Sequence, residues 1–246
     1  MNLTKRFFLY LLSVAVVSFM ACTDDNKGGE NGGEEPVTSD IVDKVSQYEA
    51  RAFDGEKRAG VFYEIFVRSF ADSNGDGVGD LNGITAKLDY LDDLGVSGIW
   101  LTPIHPSDSY HGYDVIDYKG IKAEYGTMED FERLIEEAHK RDIRVILDYV
   151  LNHSSKLNPW FKAACADADS PYRDFYNFTS EDREGWHGWH WVLTGGVKYW
   201  YFGDFDSSMP DLNYGPAASC ATNATFLALV DAAKFWIDKG VDGFRL

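Results

Sequence analysis

Apolar residues cluster in short runs that recur along the chain from about residue 60. The runs at residues 61–67, 96–101 and 143–150 have the length of strands, and a fourth follows at residues 241–246. The third run is almost continuously apolar, which is typical of a strand buried on both faces. The pattern therefore predicts four strands.

Helical spacing of apolar residues separates these runs. Residues 83–94 repeat apolar positions three and four apart, and Gly95 follows as a stop. A second helix opens at Thr127, a favourable N-cap residue, and its buried face is predicted to hold four residues: Phe131, Leu134, Ile135 and Ala138. A third helix is predicted at residues 225–239. Strands that alternate with helices indicate parallel β-α-β units.

A long stretch rich in Trp, Tyr and Gly interrupts this alternation at residues 152–215. A structureless loop of that length is rare in a compact domain, so the stretch is predicted to be an inserted subdomain. Residues 60–151 and 216–246 then supply four β/α units. Four units are half of an eight-stranded barrel, so the predicted fold is an α/β, (β/α)8 TIM barrel that stops after its fourth strand.

The net charge of the chain argues against one class of function, nucleic-acid binding. The chain has 246 residues, with 23 Lys and Arg against 40 Asp and Glu, for a net charge of −17. Such a chain repels phosphates, which argues against nucleic-acid binding. The balance is compatible with an uncharged substrate or with bound Ca²⁺.

The first residues have the layout of a secretory signal. Basic residues precede an apolar run at residues 7–20, and Cys22 follows in a lipobox-like context. We expect residues 1–22 to be a lipoprotein signal ending at a lipidated Cys22, and residues 23–59 to be an acidic, Gly-rich tether and lead-in. An ordinary cleaved signal with an incidental cysteine is the alternative. Lipidation and the acidic pair after the cysteine predict a secreted lipoprotein of the outer membrane, at the cell surface, whose only membrane contact is the lipid.

Two further cysteines, Cys165 and Cys220, remain once Cys22 is assigned to lipid. An oxidising compartment permits a disulfide between them, and two free thiols are the alternative.

The segment Asp-Ser-Asn-Gly-Asp-Gly-Val-Gly-Asp at residues 72–80 places oxygen donors at alternate positions. Alternating carboxylates and amides, with glycines for the tight turn, are how a short loop wraps a hard cation. The predicted Ca²⁺ ligands are the side chains of Asp72, Asn74, Asp76 and Asp80 and the carbonyl of Val78. A solvated Asp/Gly turn that binds nothing is the alternative.

Polar side chains follow the ends of the predicted strands. Asp148, Asn152 and His153 follow the third strand, and the loop after the second strand holds His111, Tyr113 and Asp114. Barrel enzymes build their active sites at the carboxyl ends of the strands. These residues are therefore candidates for a binding or catalytic site.

Four ordered motifs resemble the α-amylase family, glycoside hydrolase family thirteen, from about residue 60 to residue 246. They are Tyr-His-Gly-Tyr-Asp at 110–114, Asp-Tyr-Val-Leu-Asn-His at 148–153, Met-Pro-Asp-Leu-Asn at 209–213 and Gly-Phe-Arg-Leu at 243–246. With the lipoprotein start, they resemble the cell-surface starch-utilisation amylases in particular. The stretch at residues 152–215 would correspond to the family's domain B.

The resemblance implies retaining cleavage of α-glucosidic bonds in starch and maltooligosaccharides. It assigns Arg245 to holding the nucleophile ionised and Asp148 to orienting Arg245. His111 and His153 would hydrogen-bond the sugar, Tyr113 would stack on it, and Asp114 would contact substrate. The nucleophile and the acid/base Glu would lie beyond Leu246, so the 246 residues alone are expected to be inactive.

The resemblance also implies a second Ca²⁺ site, between the barrel and domain B, with Asn152 and Asp211 as two of its ligands. Two alternatives to an endo-acting amylase stay open. One is an exo-acting α-glucosidase or oligo-1,6-glucosidase, which shares the loop at residues 72–80. The other is a non-catalytic starch-binding lipoprotein with a platform of four tryptophans: Trp186, Trp189, Trp191 and Trp200.

Overall fold

The computed structural model describes residues 60–246, which all belong to one compact unit. The predicted signal, Cys22 and the tether lie outside the described residues. Within residues 60–246, no helix has the length and apolar character needed to cross a membrane.

The described residues form strands β1 Phe62–Ile65, β2 Gly98–Leu101, β3 Arg144–Asp148, β4 Phe178–Thr179, β5 Trp189–Thr194, β6 Val197–Phe202 and β7 Gly243–Arg245. The α-helices are α1 Val67–Phe70, α2 Leu81–Ala86, α3 Leu88–Asp93, α4 Met128–His139, α5 Pro159–Ala166 and α6 Ala224–Asp238. Short 3₁₀ helices cover Ala123–Tyr125, Arg173–Phe175 and Ala217–Thr222.

Four strands form a parallel sheet in the order β1-β2-β3-β7. Side chains alternate between its faces, and one face packs against the helices through Ile65, Ile99, Leu101, Val145 and Leu147, all buried. This parallel sheet with its crossover helices is the architecture of part of a (β/α) barrel, which confirms the predicted fold class.

Helices α4 and α6 cover the sheet. Thr127 caps α4 in a capping box with Asp130, and the four residues predicted for its inner face are all buried. Trp236 of α6 is fully buried, and its indole N–H donates to the carbonyl of Tyr118 at 2.7 Å. The predicted N-cap and buried face of α4 are confirmed.

The observed elements are shorter than predicted. The first strand ends at Ile65, and Val67, predicted as strand, begins α1. The helix expected at residues 83–94 is two short helices that meet at Lys87, whose backbone leaves the helical region. The Thr85 hydroxyl donates to the carbonyl of Leu81 in the last turn before this break. Apolar periodicity continues through such a break, so it is not visible in the pattern.

Residues 152–215 hold a second, antiparallel sheet in the order β4-β6-β5, beside α5. Its centre is aromatic: Phe161 of α5 packs edge-on against Tyr176 and Tyr201 at centroid distances of 4.9 Å. The stretch therefore has secondary structure of its own, although the exact bounds of a separate subdomain stay a prediction.

The burial of the tryptophans and the state of the two cysteines bear on two expectations from the sequence, the tryptophan platform and the disulfide. Trp200 is buried, whereas Trp186 and Trp191 are exposed, so the four tryptophans do not form a single exposed platform. Trp200 lies in the central strand β6, in register with Trp191 of the edge strand β5, and the Lys198 ammonium lies 4.3 Å from the centroid of its ring. Cys165 and Cys220 are free thiols, not a disulfide.

Candidate functional site

The carboxyl end of the parallel sheet gathers the predicted polar residues. Asp148 and Arg245 are in register on the neighbouring strands β3 and β7. Tyr113 reaches the same edge from the loop after β2, where its hydroxyl donates to Asp148 Oδ2 at 2.8 Å. The parallel register therefore brings together three residues that are up to 132 positions apart in the chain.

Asp148 is a buried carboxylate with two partners. Its side chain is 2% exposed, and Arg245 Nη1 lies 3.2 Å from Oδ1 and 3.4 Å from Oδ2. A buried carboxylate needs such partners because desolvation penalises its charge. Burial and the bond to Asp148 together raise the pKa of Tyr113 to about 12, so the phenol keeps its proton.

Arg245 shares one face of the sheet with Asp148 and Trp100. Side chains alternate along each strand, so Trp100, Ile146, Gly243 and Arg245 share the face of Asp148. The guanidinium of Arg245 lies 4.9 Å from the centroid of the Trp100 ring. Trp100 was not predicted as a site residue, because an aromatic residue within an apolar strand is expected to pack in the core.

A tight loop holds His111 and Asp114. Asp114 accepts from the backbone N–H groups of Asp108 and Ser109 and from the Ser109 hydroxyl. That hydroxyl also lies 3.1 Å from His111 Nδ1. Gly112 has a φ of 82°, and a Cβ there would lie 2.8 Å from the carbonyl oxygen of Pro103. The buried Asp114 carboxylate thus organises the loop, besides lining a cavity with His111.

His153 is buried beside this loop, and its Nε2 has no hydrogen-bond partner among the described residues. Burial lowers the pKa of His153, so its ring is neutral at neutral pH. The ring of Phe205 packs edge-on against it at 5.3 Å, and Phe205 itself is exposed. Phe205 is a further neighbour of the site that the sequence did not reveal, since it lies in a loop with no periodicity.

Asn152 and Asp211, predicted as ligands of one cation, are brought together. The Asn152 amide donates to Asp211 Oδ1 at 3.3 Å, and the backbone N–H of Asp204 donates to the same oxygen at 3.3 Å. Burial, with the nearby charge of Asp204, raises the pKa of Asp211. Both groups that face Asp211 Oδ1 are N–H donors, so Ca²⁺ bound by Asn152 and Asp211 stays a prediction.

The loop at residues 72–80 is organised by its own side chains. Asp72 accepts from the backbone N–H groups of Asn74, Gly75 and Gly77, and these bonds lower its pKa. Asp80 accepts from Ser73 and from Gly83 N, which makes it the N-cap of α2. Asp80 therefore has a structural role that explains its presence without a metal.

Asn74 and Asp76 are two further predicted Ca²⁺ ligands. Their side-chain oxygens accept hydrogen bonds from the backbone N–H groups of Asp76 and Val78, respectively. In the part of the chain that the structure describes, no three His, Cys, Asp or Glu side chains form a group that could hold a metal ion. Ca²⁺ in this loop accordingly stays a prediction, and it depends on the Asn74 amide and the Val78 carbonyl as well as on carboxylates.

Comparison with known proteins identifies the family of the barrel. The model of the alpha amylase catalytic domain matches residues 64–246. Alpha-amylase 3 of Dictyoglomus thermophilum is 51% identical over 187 residues, which cover 76% of this chain and 36% of that protein. Alpha-amylase SusG of Bacteroides thetaiotaomicron is 44% identical over 186 residues, covering 74% and 27%.

An oligo-1,6-glucosidase of Parageobacillus thermoglucosidasius is 42% identical over 200 residues, covering 76% of this chain and 34% of that protein. Among solved structures, the alpha-amylase from H. orenii superposes with a TM-score of 0.67 at 47% identity, covering 77% of this chain and 40% of that one. The chain thus spans about a third of the length of the relatives it matches.

A test of the cluster follows from the bond between Tyr113 and Asp148. Tyr113→Phe removes a donor to a buried carboxylate, so the free energy of unfolding should fall by about 1–3 kcal/mol, measured by urea denaturation of the full-length protein. Tyr110→Phe is the matched control, because Tyr110 is exposed and its ring remains. Equal stability of both variants would show that the bond contributes nothing.

Proposed function

Because this chain belongs to the alpha-amylase catalytic-domain family, we propose that the protein hydrolyses α-glucosidic bonds of starch and maltooligosaccharides with retention of configuration. The observation that carries the proposal is the cluster of Asp148, Tyr113 and Arg245 at the carboxyl ends of the strands. That edge is where barrel enzymes place their chemistry.

In retaining hydrolysis one carboxylate attacks the anomeric carbon and a second carboxyl group protonates the departing oxygen, then deprotonates the incoming water. By resemblance, the attacking carboxylate follows Leu246. Arg245 places a positive charge beside that position, which keeps a neighbouring carboxylate ionised and therefore nucleophilic. Asp148 holds Arg245 there, since its own buried charge requires the guanidinium.

The remaining residues bind the sugar. His153 has a buried Nε2 without a hydrogen-bond partner among the described residues, and we assign a sugar hydroxyl as its partner. Tyr113 and His111 lie with ring centroids 6.0 Å apart and supply the stacking face and a second polar contact. Asp114, whose oxygens are already bound by Ser109 and Asp108, acts chiefly by positioning His111.

The endo-acting mode is the first candidate, and the relatives named amylases support it. The similarity to an oligo-1,6-glucosidase keeps an exo-acting α-glucosidase as a second candidate. The two modes differ in whether the enzyme needs a free non-reducing end.

A blocked-end chromogenic maltooligosaccharide distinguishes the two modes. We expect the full-length protein to release the chromophore without a helper glucosidase, because an endo enzyme cuts inside the chain. Release that requires a free non-reducing end would instead identify the exo-acting enzyme.

His153→Ala should lower kcat/KM by about tenfold through one lost hydrogen bond. The exposed His187 gives the control variant His187→Ala, which should keep the full rate.

We also propose that Ca²⁺ binds at two places. Asp72, Asn74, Asp76, Val78 and Asp80 would hold one ion, and Asn152 and Asp211 would contribute to the other. One ion would stabilise the folded conformation of the loop at residues 72–80. The other would stabilise the base of the inserted stretch. Carboxylate, amide and carbonyl oxygens are the ligand types that Ca²⁺ prefers, and the two sets of residues supply them, which supports this assignment.

Removing one ligand tests the loop site. With Ca²⁺ at about 100 times its Kd, a bound ion stabilises the folded state by about 2.7 kcal/mol. Asp76→Ala should therefore lower the thermal midpoint in Ca²⁺ and change it little in chelator. Asp169→Ala, at another exposed aspartate in a turn, should change neither. An equal loss for Asp76→Ala under both conditions would mean that the loop acts without metal.

The cellular location remains a proposal from the sequence. Cys22 lies outside the described residues, and its lipidation with display at the outer-membrane surface rests on the lipobox-like context and the acidic tether. Such a location fits an enzyme whose polymeric substrate cannot enter the cell.

A further inference from the structure

Lys122 is a lysine whose charged end is enclosed by the loop after β2. Its side chain is 11% exposed, and its ammonium donates to the carbonyl of Ser109 at 2.7 Å and to the hydroxyl of Ser107 at 3.3 Å. A lysine normally keeps its ammonium in water, because desolvation of the charge is costly. The enclosed position therefore needs a reason, and both acceptors lie in the loop that carries His111.

The backbone and the charge of Lys122 are both held in place. Its backbone N–H donates to the carbonyl of Ile104 at 2.8 Å, which closes the loop of residues 104–122 at its base. One oxygen of Glu124 lies 3.4 Å from the ammonium, and Arg68 of α1 lies 3.4 Å from the other oxygen. Because Glu124 is about half exposed, this ion pair contributes less than the enclosed bonds to the loop. Lys122 is therefore a fixed support for the segment at Ser109.

Ser109 connects the ammonium to the ring of His111. Its carbonyl accepts from Lys122, while its hydroxyl donates to Asp114 and lies 3.1 Å from His111 Nδ1. The same ring nitrogen accepts from the backbone N–H of Tyr113 at 3.1 Å. A backbone N–H can only donate, so Nδ1 is an acceptor, and the proton of the neutral ring lies on Nε2. The loop thus fixes the tautomer of His111 and leaves Nε2 as a hydrogen-bond donor.

We propose that Lys122 is a positioning residue for the reaction. Its ammonium fixes the backbone at Ser109, and through Ser109 it fixes the ring of His111 for a hydrogen bond from Nε2 to the sugar. The proposal rests on the proposed function, in which His111 contacts the sugar. Positioning matters most in the transition state, where a displacement of about 1 Å can cost about 100-fold in rate. Loss of the ammonium should therefore lower kcat more than it changes KM.

Steady-state kinetics of the full-length protein test this on a chromogenic maltooligosaccharide with a free non-reducing end, which both endo- and exo-acting enzymes can cleave. Lys122→Met keeps the aliphatic stem and removes the donor, so we expect kcat to fall by about tenfold and KM to stay within about twofold. Lys122→Arg keeps the charge and the donors and should recover most of the loss. Lys119→Met is the matched control, because Lys119 lies in the same segment but pairs with Asp231 of α6, and it should keep the full rate. The thermal midpoint of each variant confirms that it folds.

A double-mutant cycle with His111→Ala separates positioning from a general structural role. His111→Ala should itself lower kcat by about tenfold through one lost hydrogen bond, which leaves a measurable rate. In that background, Lys122→Met should change kcat by less than about twofold, because the ring on which the lysine acts is already absent. A merely structural lysine would lower the rate by the same factor in both backgrounds.

Several outcomes would overturn the proposal. An unchanged kcat in Lys122→Met, or equal losses in Lys122→Met and Lys122→Arg, would show that the ammonium has no such role. Additive losses in the cycle would refute the connection through His111 and leave the proposed function intact. If Lys122→Met does not fold, Lys122→Gln, which keeps an N–H donor, takes its place in the cycle, and unfolding of both would mean that the lysine is structural. No hydrolysis by the wild type would refute the proposed function, and this inference with it.

Discussion

Asp148 carries a negative charge at a position that is almost fully enclosed, and the local structure compensates that charge from two directions. Arg245 supplies the opposite charge from the neighbouring strand, and Tyr113 supplies a hydroxyl donor from the loop after β2. Leaving such a carboxylate without partners costs several kcal/mol. The strand β7, the loop after β2 and the end of β3 are therefore fixed relative to one another by one group.

The pairing of Asp148 with Arg245 also matters for the proposed glycosidase reaction. A guanidinium that is held by a buried carboxylate keeps its position and its charge, and in the proposed mechanism it stabilises the attacking carboxylate. The Ser109 hydroxyl and Asp114 hold His111 in the same loop, while burial keeps His153 neutral. Pre-organised groups of this kind stabilise developing charge without reorganising during the reaction. The proposed glycosidase activity thus depends on packing as much as on the residues that touch sugar.

The sequence was most informative where local chemistry determines structure. Thr127 and the four apolar residues of α4 lie as predicted, because a capping box and a helical repeat are local signals. The pairing of Asp148 with Arg245 followed from resemblance and strand order. Trp100 and Phe205 were missed, since a ring in a strand looks like core and a loop has no period. The break at Lys87 and the burial of Trp200 depend on tertiary packing, which apolar periodicity does not encode.

The most direct measurement of the central claim is a crystal structure of the full-length protein with a non-hydrolysable, thio-linked analogue of maltotetraose bound. The account predicts a glucose ring beside Tyr113, with a hydroxyl within hydrogen-bonding distance of His153 Nε2. It also predicts that Arg245 and Asp148 keep the contact that they have without ligand. A sugar bound away from the carboxyl ends of β2, β3 and β7, or an Arg245 that leaves Asp148 when sugar binds, would contradict it.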